Sequence, residues 1–328
     1  MFVNKINELA EEIIQSGKSG VHPDEARALI PQGPEQVLDL IHAADRIRRR
    51  FKQQQAFTCA IVNAKSGFCA EDCAFCAQSA HHRTEIATYD LHDEATLIET
   101  GRKMAAAGAT NYSVVTSGTA LNDAEIDTVC AVARTLKAET GLTLCASLGM
   151  LSESAARRLK QAGITRYHHN LETARSFFDQ ICTTHDYDDD IRTVRTARRA
   201  GLKVCSGGIF GLGESWEQRL ELAFTLKELN VDSIPVNFLN PIPGTRLAGR
   251  PLLTPLDALG CIALVRFIHP GADIPICGGR EVTLKDFQSW VFLAGANGLM
   301  VGNYLTTQGR RMDMDMNMIT EMGMTHAK

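Results

Sequence analysis

Apolar positions near the start of the chain recur every three to four residues. Phe2, Ile6, Leu9 and Ile13 fall on one helical face, and Pro34 opens a second such pattern through Val37, Leu38, Ile41, Ala44 and Ile47. The first fifty residues therefore predict helices. From there the pattern alternates. Short β-like runs stand near 58–62, 111–116, 142–147, 165–170, 203–209, 232–238, 273–277 and 298–302. Helix-like stretches at 93–107, 122–139, 152–162, 188–200, 215–229, 255–268 and 284–296 separate them. Several of these stop at a glycine, as in Ala107-Gly108, Thr140-Gly141, Ala162-Gly163 and Ala200-Gly201, where a left-handed C-cap is expected. Strands that alternate with helices specify a parallel α/β sheet, and eight is the number that closes a TIM-type barrel. The expected fold is a (β/α)8 barrel, with a doubly wound open sheet as the competitor. Residues 1–50 form an N-terminal helical extension in this reading, 51–310 the barrel domain and 311–328 a C-terminal tail. That tail intersperses Met312, Met314, Met316, Met318, Met322 and Met324 with Asp, Asn and Thr. It is expected to be flexible or loosely packed.

Composition narrows the class without choosing a chemistry. A chain of 328 residues with 45% hydrophobic and 22% charged residues buries a core easily. A formal charge of −4 gives no reason to expect nucleic acid or an anionic membrane as partner. The opening MFVNKINELAEEIIQ carries acidic residues inside its apolar pattern, unlike a secretory signal, and no run of about 18 apolar residues is present to span a membrane. A cytoplasmic protein is expected. The ten cysteines stand out. In a reducing compartment a disulfide scaffold is not expected, so clustered thiols point to metal or cluster ligation.

One group of thiols is tight. Gly67-Phe68-Cys69-Ala70-Glu71-Asp72-Cys73-Ala74-Phe75-Cys76 follows the first predicted strand, on the barrel face where active sites of this fold are built. Structural zinc normally takes four protein ligands, and no second C-x-x-C pair is present. A 4Fe–4S cluster held by Cys69, Cys73 and Cys76 fits better and leaves one iron open, with zinc and a chance grouping as the alternatives. The spacing C-x-x-x-C-x-x-C, with Phe75 before the last cysteine, resembles the signature of the radical S-adenosylmethionine superfamily. The resemblance implies that S-adenosylmethionine chelates the open iron, that its cleavage yields a 5′-deoxyadenosyl radical, and that Phe75 lies near the adenine.

Four further segments resemble biotin synthases: Tyr167-His168-His169-Asn170-Leu171-Glu172-Thr173, Val204-Cys205-Ser206-Gly207-Gly208-Ile209-Phe210-Gly211-Leu212-Gly213-Glu214, Pro235-Val236-Asn237-Phe238 and Gly279-Arg280-Glu281. This likeness runs from about Pro34 to Thr307. It implies sulfur insertion into dethiobiotin, with a reduced flavodoxin or ferredoxin as electron donor and a homodimeric assembly. By the same resemblance Asn170 and Glu172 hold S-adenosylmethionine, the acid on the ribose hydroxyls. Gly207, Ile209, Gly211 and Glu214 belong to the stretch over the adenine, and Asn170 and Asn237 bind the ureido ring. An amide offers both a donor and an acceptor to a cyclic urea. Tight strand packing is the other reading of Gly207-Gly208, and a satisfied core amide the other reading of Asn237. Only one of His168 and His169 points inward if both lie on a strand. Where some relatives carry an arginine for the methionine carboxylate this chain has Asp190, with Arg192 nearby, and that role stays open.

The resemblance also implies a second, deeper cluster as sulfur source, of 2Fe–2S type with three cysteines and an arginine. Cys145 and Cys205 match two of those cysteines, but Ser113 and Pro275 stand at the other two positions. Barrel geometry suggests a different set. Interior side chains form layers drawn from alternate strands, and Cys59, Cys145, Cys205 and Cys277 lie on predicted strands one, three, five and seven. Four converging thiols suit an auxiliary 4Fe-type cluster. A one-residue slip would turn Cys59 or Cys277 outward and leave an ordinary buried thiol. Cys130, Cys182 and Cys261 are given no role. The competing functions are another radical enzyme of the same clan, of mutase or hydrogenase-maturation type, and a non-catalytic iron–sulfur electron carrier.

Overall fold

The computed structural model describes residues 2–327. Three helices come first, α1 (Phe2–Ser16), α2 (Pro23–Ala28) and α3 (Pro34–Lys52). Strands and helices then alternate: β1 (Gln55–Lys65), α4 (Glu94–Ala106), β2 (Asn111–Thr116), α5 (Asp123–Glu139), β3 (Thr143–Ser147), α6 (Glu153–Ala162) and β4 (Arg166–His168). The second half carries α7 (Arg175–Phe178), α8 (Tyr187–Arg199), β5 (Lys203–Cys205), β6 (Gly208–Phe210), α9 (Trp216–Glu228), β7 (Val236–Phe238), α10 (Pro255–Ile268) and β8 (Pro275–Ile276). It ends with α11 (Arg280–Leu284), α12 (Trp290–Leu293), β9 (Gly298–Val301), α13 (Met312–Glu321) and β10 (Thr325–His326).

The strands pair in the order β5-β4-β3-β2-β1-β9-β8-β7-β6, all in parallel. The two ends of that path are halves of one chain segment, separated only by Ser206 and Gly207. Cys205 bridges Ser233 on one side, and Gly208 bridges Glu172 on the other. The sheet thus closes on itself as a TIM-type barrel, and the open doubly wound alternative falls away. Helices cover its outside. α10 is buried all round from Ala258 to Ile268 because α3, α9 and α11 pack around it, which explains its uninterrupted apolar sequence. α1 lays Ile6, Leu9, Ala10 and Ile13 over α3.

Local chemistry sets the boundaries. Asn122 and Glu125 form a reciprocal capping box at the start of α5, and Ser215 and Gln218 do the same for α9. Gly163 ends α6 in the left-handed conformation at φ +111°. Thr140-Gly141 departs from the expected glycine stop. There α5 ends on an extended Thr140, whose hydroxyl caps the Leu136 carbonyl at 2.7 Å.

Three larger differences separate the sequence reading from the fold. The stretch 203–209 is not one strand, because Gly207 packs with no room for a side chain: a Cβ there would stand 2.1 Å from the Pro235 carbonyl oxygen. The predicted helix 284–296 is broken into α11, a 3-10 turn and α12, since Lys285 takes φ +50°. The tail is packed rather than loose. Asp315, Met318, Ile319 and Met322 follow helical spacing on α13, with Met318 and Ile319 buried, and β10 adds a parallel strand beside the start of β1. No helix among the described residues is long and apolar enough to cross a membrane.

Candidate active site

Side chains alternate along each strand, so every second residue faces the barrel axis. That places Cys59, Cys145, Cys205 and Cys277 on the wall of one cavity of about 370 Å³, whose upper wall carries Phe75 and Cys76. The inner thiols and the last cysteine of the outer set therefore border the same space. Cys130 and Cys261 sit apart, buried in α5 and α10.

The upper loop is long and carries no regular element from Ser66 to His92, so side chains and turns hold it. Gly67 adopts φ +78° against Thr88, where a Cβ would meet a methyl at 2.4 Å. Cys69 exchanges backbone hydrogen bonds across to Gln78 and Ala80, and the Cys76 N–H donates to the Cys73 carbonyl at 2.9 Å. The Asp72 carboxylate accepts from the backbone and hydroxyl of Thr183 at 2.8 and 2.7 Å, tying this loop to the segment before α8. The three thiols neighbour one another in sequence along the loop. Cys76 is pushed up to about 11 by burial, with the Cys69 thiol also nearby. A thiol raised in this way stays neutral unless a metal takes its proton's place.

Two residues that sequence reasoning passed over complete this loop. Cys182, given no role, lies with its Sγ 3.7 Å from that of Cys73. His185 sits between carboxylates, its Nδ1 2.8 Å from Glu71 and its Nε2 3.4 Å from Asp190. Asp190, then Cys182 and Glu71, raise the imidazole to about 11, so it carries a positive charge. His185 is the cation of this corner. Arg192 projects from α8, largely exposed, and pairs with Asp189 instead. Asp190 also accepts from His169 at 2.8 Å, so His169, just past the end of β4, faces outward while His168 at its end lines the cavity. Burial lowers His168 to about 4, leaving it neutral. The signal for His185 was its place five residues before Asp190 in a turn rich in Thr and Asp.

Beside them Asn170, Glu172 and Gly207 form a chain of hydrogen bonds. The Gly207 N–H donates to Asn170 Oδ1 at 3.1 Å, and Asn170 Nδ2 donates to Glu172 Oε2 at 3.2 Å. Glu172 stands at φ +60°, an unusual conformation for a residue with a Cβ. Burial, with Asp190 nearby, raises its carboxyl to about 8. Asn170, Glu172 and Ile209 face the cavity, whereas Gly207 and Gly211 do not line it. Gly211 turns at φ +95° and donates to Glu214, which in turn pairs with Arg219 at 2.7 Å. These glycines and Glu214 shape the strand ends. Asn237 lines the cavity while donating to the Gly208 carbonyl at 3.2 Å and accepting from the Gly278 N–H at 2.9 Å. One N–H and one lone pair of its amide remain free.

The inner thiols share the wall of this first cavity. Cys59 has Cys145 and Cys205 as charge neighbours, and Cys277 has Cys59 and Cys205. Burial raises all four, Cys145 to about 12. Their polar contacts are few and long, such as Asn111 Nδ2 to Cys59 Sγ at 3.4 Å. Ser113 and Pro275 share this wall, and the Ser113 hydroxyl is buried without a partner. A further residue missed by sequence reasoning is Arg166 on β4. It is only 9% exposed and its guanidinium neighbours Cys205, Cys145 and Cys59. Four convergent thiols with unmet ligating capacity, beside a buried cation, fit an anionic iron–sulfur centre.

Comparison with known proteins agrees with this arrangement. Residues 64–226 match the Radical SAM superfamily, and residues 235–325 match the Biotin and Thiamin Synthesis associated domain. The biotin synthase of Syntrophus aciditrophicus (strain SB) is 58% identical over 314 residues, covering 96% of this chain and 97% of that one. The biotin synthase of Nitratidesulfovibrio vulgaris (strain Miyazaki F) is 55% identical over 314 residues, covering 93% and 86%. Among solved structures, methylornithine synthase superposes with a TM-score of 0.83 at 20% identity over 98% of this chain and 97% of that one, a likeness of fold alone. With so much identity along nearly its whole length, and with the superfamily's cysteine loop at the mouth of its barrel, this chain belongs to the biotin synthase family of radical S-adenosylmethionine enzymes.

Proposed function

We propose that the two thiol sets divide the work of sulfur insertion into dethiobiotin. Cys69, Cys73 and Cys76 hold a 4Fe–4S cluster with one iron open to S-adenosylmethionine, and Cys59, Cys145, Cys205 and Cys277 hold an auxiliary 4Fe-type cluster. When bound, the outer cluster supplies the electron that cleaves S-adenosylmethionine and the inner one supplies the sulfur. The observation that carries this reading is one cavity with the four inner thiols on its wall and Phe75 and Cys76 of the cysteine loop at its mouth.

The protein's part is positioning. Phe75, Ile209 and Glu172 form the nucleoside side of the cavity, with the Glu172 carboxyl turned to the ribose hydroxyls. The cation of His185, flanked by Glu71 and Asp190, faces the loop where the methionine end lies. Asn170 and Asn237 present amides to the ureido ring, and Asn237 still has a donor and an acceptor to give. Neutral His168 adds a polar contact without a charge that would draw in water. Substrate held between mouth and inner thiols presents each reacting carbon first to the adenosyl radical and then to sulfur. A reduced flavodoxin or ferredoxin is the electron donor in this reading. A reducing cytoplasm keeps the ten free thiols available, and the working assembly is a homodimer.

The test is anaerobic turnover of the iron- and sulfide-reconstituted protein with S-adenosylmethionine, dethiobiotin and a strong reductant. Biotin together with 5′-deoxyadenosine is the expected outcome. Cys277→Ala should lose protein-bound iron and sulfide while keeping the outer cluster's absorption. Unchanged iron and sulfide in that variant would remove Cys277 from the inner site and leave Cys59 equally in question.

A further inference from the structure

A second cavity opens at the opposite end of the barrel, below the strand N-termini. It measures about 970 Å³. Arg166 and Asn111 line both this cavity and the upper one, so these two side chains form the partition between them. Asn111 touches Cys59 from that partition at 3.4 Å. Arg166 is tied on one side to Asp273 at 3.2 Å, while its Nε is buried with no acceptor among the described residues. An unmet guanidinium N–H in a buried position is unfavourable, and an arriving anion would satisfy it. The lower cavity has the charge to bring one. Among the described residues Lys52, Arg166 and Lys203 line it against the one side-chain carboxylate of Asp273, and Lys203 makes no ion pair with any of them.

We infer that this lower cavity is the inlet and holding site for a small sulfur anion, hydrosulfide, which reaches the inner thiols from beneath through Arg166. The inference rests on the reading that those thiols hold the sulfur source. Each product carries one sulfur away, so an enzyme that acts repeatedly must be refilled. The upper mouth is where cosubstrate and substrate lie. A separate lower inlet lets sulfide arrive without crossing them. Hydrosulfide is singly charged near neutral pH and small, and among the described residues only the side chains of Arg166 and Asn111 are shared by the two cavities. It gives its proton to solvent water on becoming a cluster sulfide, and no electron moves in that exchange.

Gly141 offers a way to block the inlet without touching the thiols. It lines the lower cavity, has an unremarkable φ, and nothing lies within 4 Å of where its Cβ would stand. Reconstituted holoenzyme is allowed one round of biotin formation, then given ³⁴S-sulfide, and labelled acid-labile sulfide on the protein is followed by mass spectrometry. Enzyme that has made no biotin serves as the reference for exchange at the outer cluster. Gly141→Trp should abolish the fast, saturable uptake that follows turnover while leaving the first round of biotin unchanged. Lys203→Glu should raise the sulfide concentration for half-maximal uptake about fivefold, and less at high salt. Uptake in both variants equal to that of the unaltered protein would overturn the inlet. Unaltered protein with iron and sulfide for one cluster only would overturn the underlying reading of the inner thiols, and the inlet with it.

Discussion

Residues declare their chemistry unevenly. The cysteine loop was legible because three thiols within eight positions have few uses, and the inner four because strand alternation fixes their facing. Arg166 and His185 were not, since each looks like a common surface residue until the fold encloses it. Ser113 is informative in the opposite sense. It occupies the level of the inner thiols, yet its hydroxyl meets nothing. Ser113→Ala should therefore change unfolding free energy by no more than about 0.5 kcal/mol and leave iron content unaltered; a drop in bound iron would make Ser113 a ligand. His269 shows burial acting on a residue with no part in the site. Its ring contacts the Ala223 carbonyl at 2.8 Å, and burial lowers it to about 4. The unfolded chain takes up a proton near pH 6.5 where the folded one does not, so stability is intact above 6.5 and falls as pH drops toward 4. The loss is about 1.4 kcal/mol per pH unit in that window from this residue. Comparing urea midpoints at pH 7 and 5 in the original and in His269→Gln measures it: the variant should lose less.

At the scale of elements, periodic patterns located the barrel strands, with β5 and β6 read as one, and most helices, because burial on one face leaves a period in the sequence. What escaped were elements set by tertiary contacts. The tail reads as alternating Met and polar residues, and its helix emerges only once Asp315 has a partner. That partner is Arg280, of the segment Gly279-Arg280-Glu281. Both side chains are 0% exposed and meet at 2.7 Å, with a second contact at 3.1 Å. Arg280 also donates to Gln288 at 2.7 Å, so one guanidinium binds α13 to the broken helical stretch that follows β8. Removing one member of a buried pair leaves the other charged and unsolvated. Asp315→Ala should cost about 3–5 kcal/mol of unfolding free energy. The double variant Asp315→Leu with Arg280→Met should recover much of that. If the single variant unfolds at the same urea concentration as the original protein, α13 is held by its methionines and the ion pair is incidental.

The whole molecule sets a rigid frame around a loosely built mouth. Cys59 and Cys145 stand on strands whose backbones are paired on both sides, Cys205 and Cys277 stand at or just past the end of theirs, and the outer thiols lie on a stretch from Ser66 to His92 with only isolated bridges. Metal ligation and local folding are therefore coupled differently at the two ends of the cavity. A site whose ligands are ordered by a closed sheet loses little order when its cluster is removed, while one whose ligands hang on a loop returns that order to the solvent. Stripping iron and sulfide should raise amide hydrogen exchange at Cys69, Cys76 and Ala80 and leave β1, β3 and the buried helix α10 protected. Reconstitution of protein carrying Cys145→Ala should restore slow exchange in the loop, because the outer cluster still forms. The same treatment of Cys73→Ala should not. Exchange in β1 or β3 that accelerates together with the loop would mean that the inner centre holds the barrel closed. In that case Ser206-Gly207, the break between β5 and β6, would be where the sheet opens first.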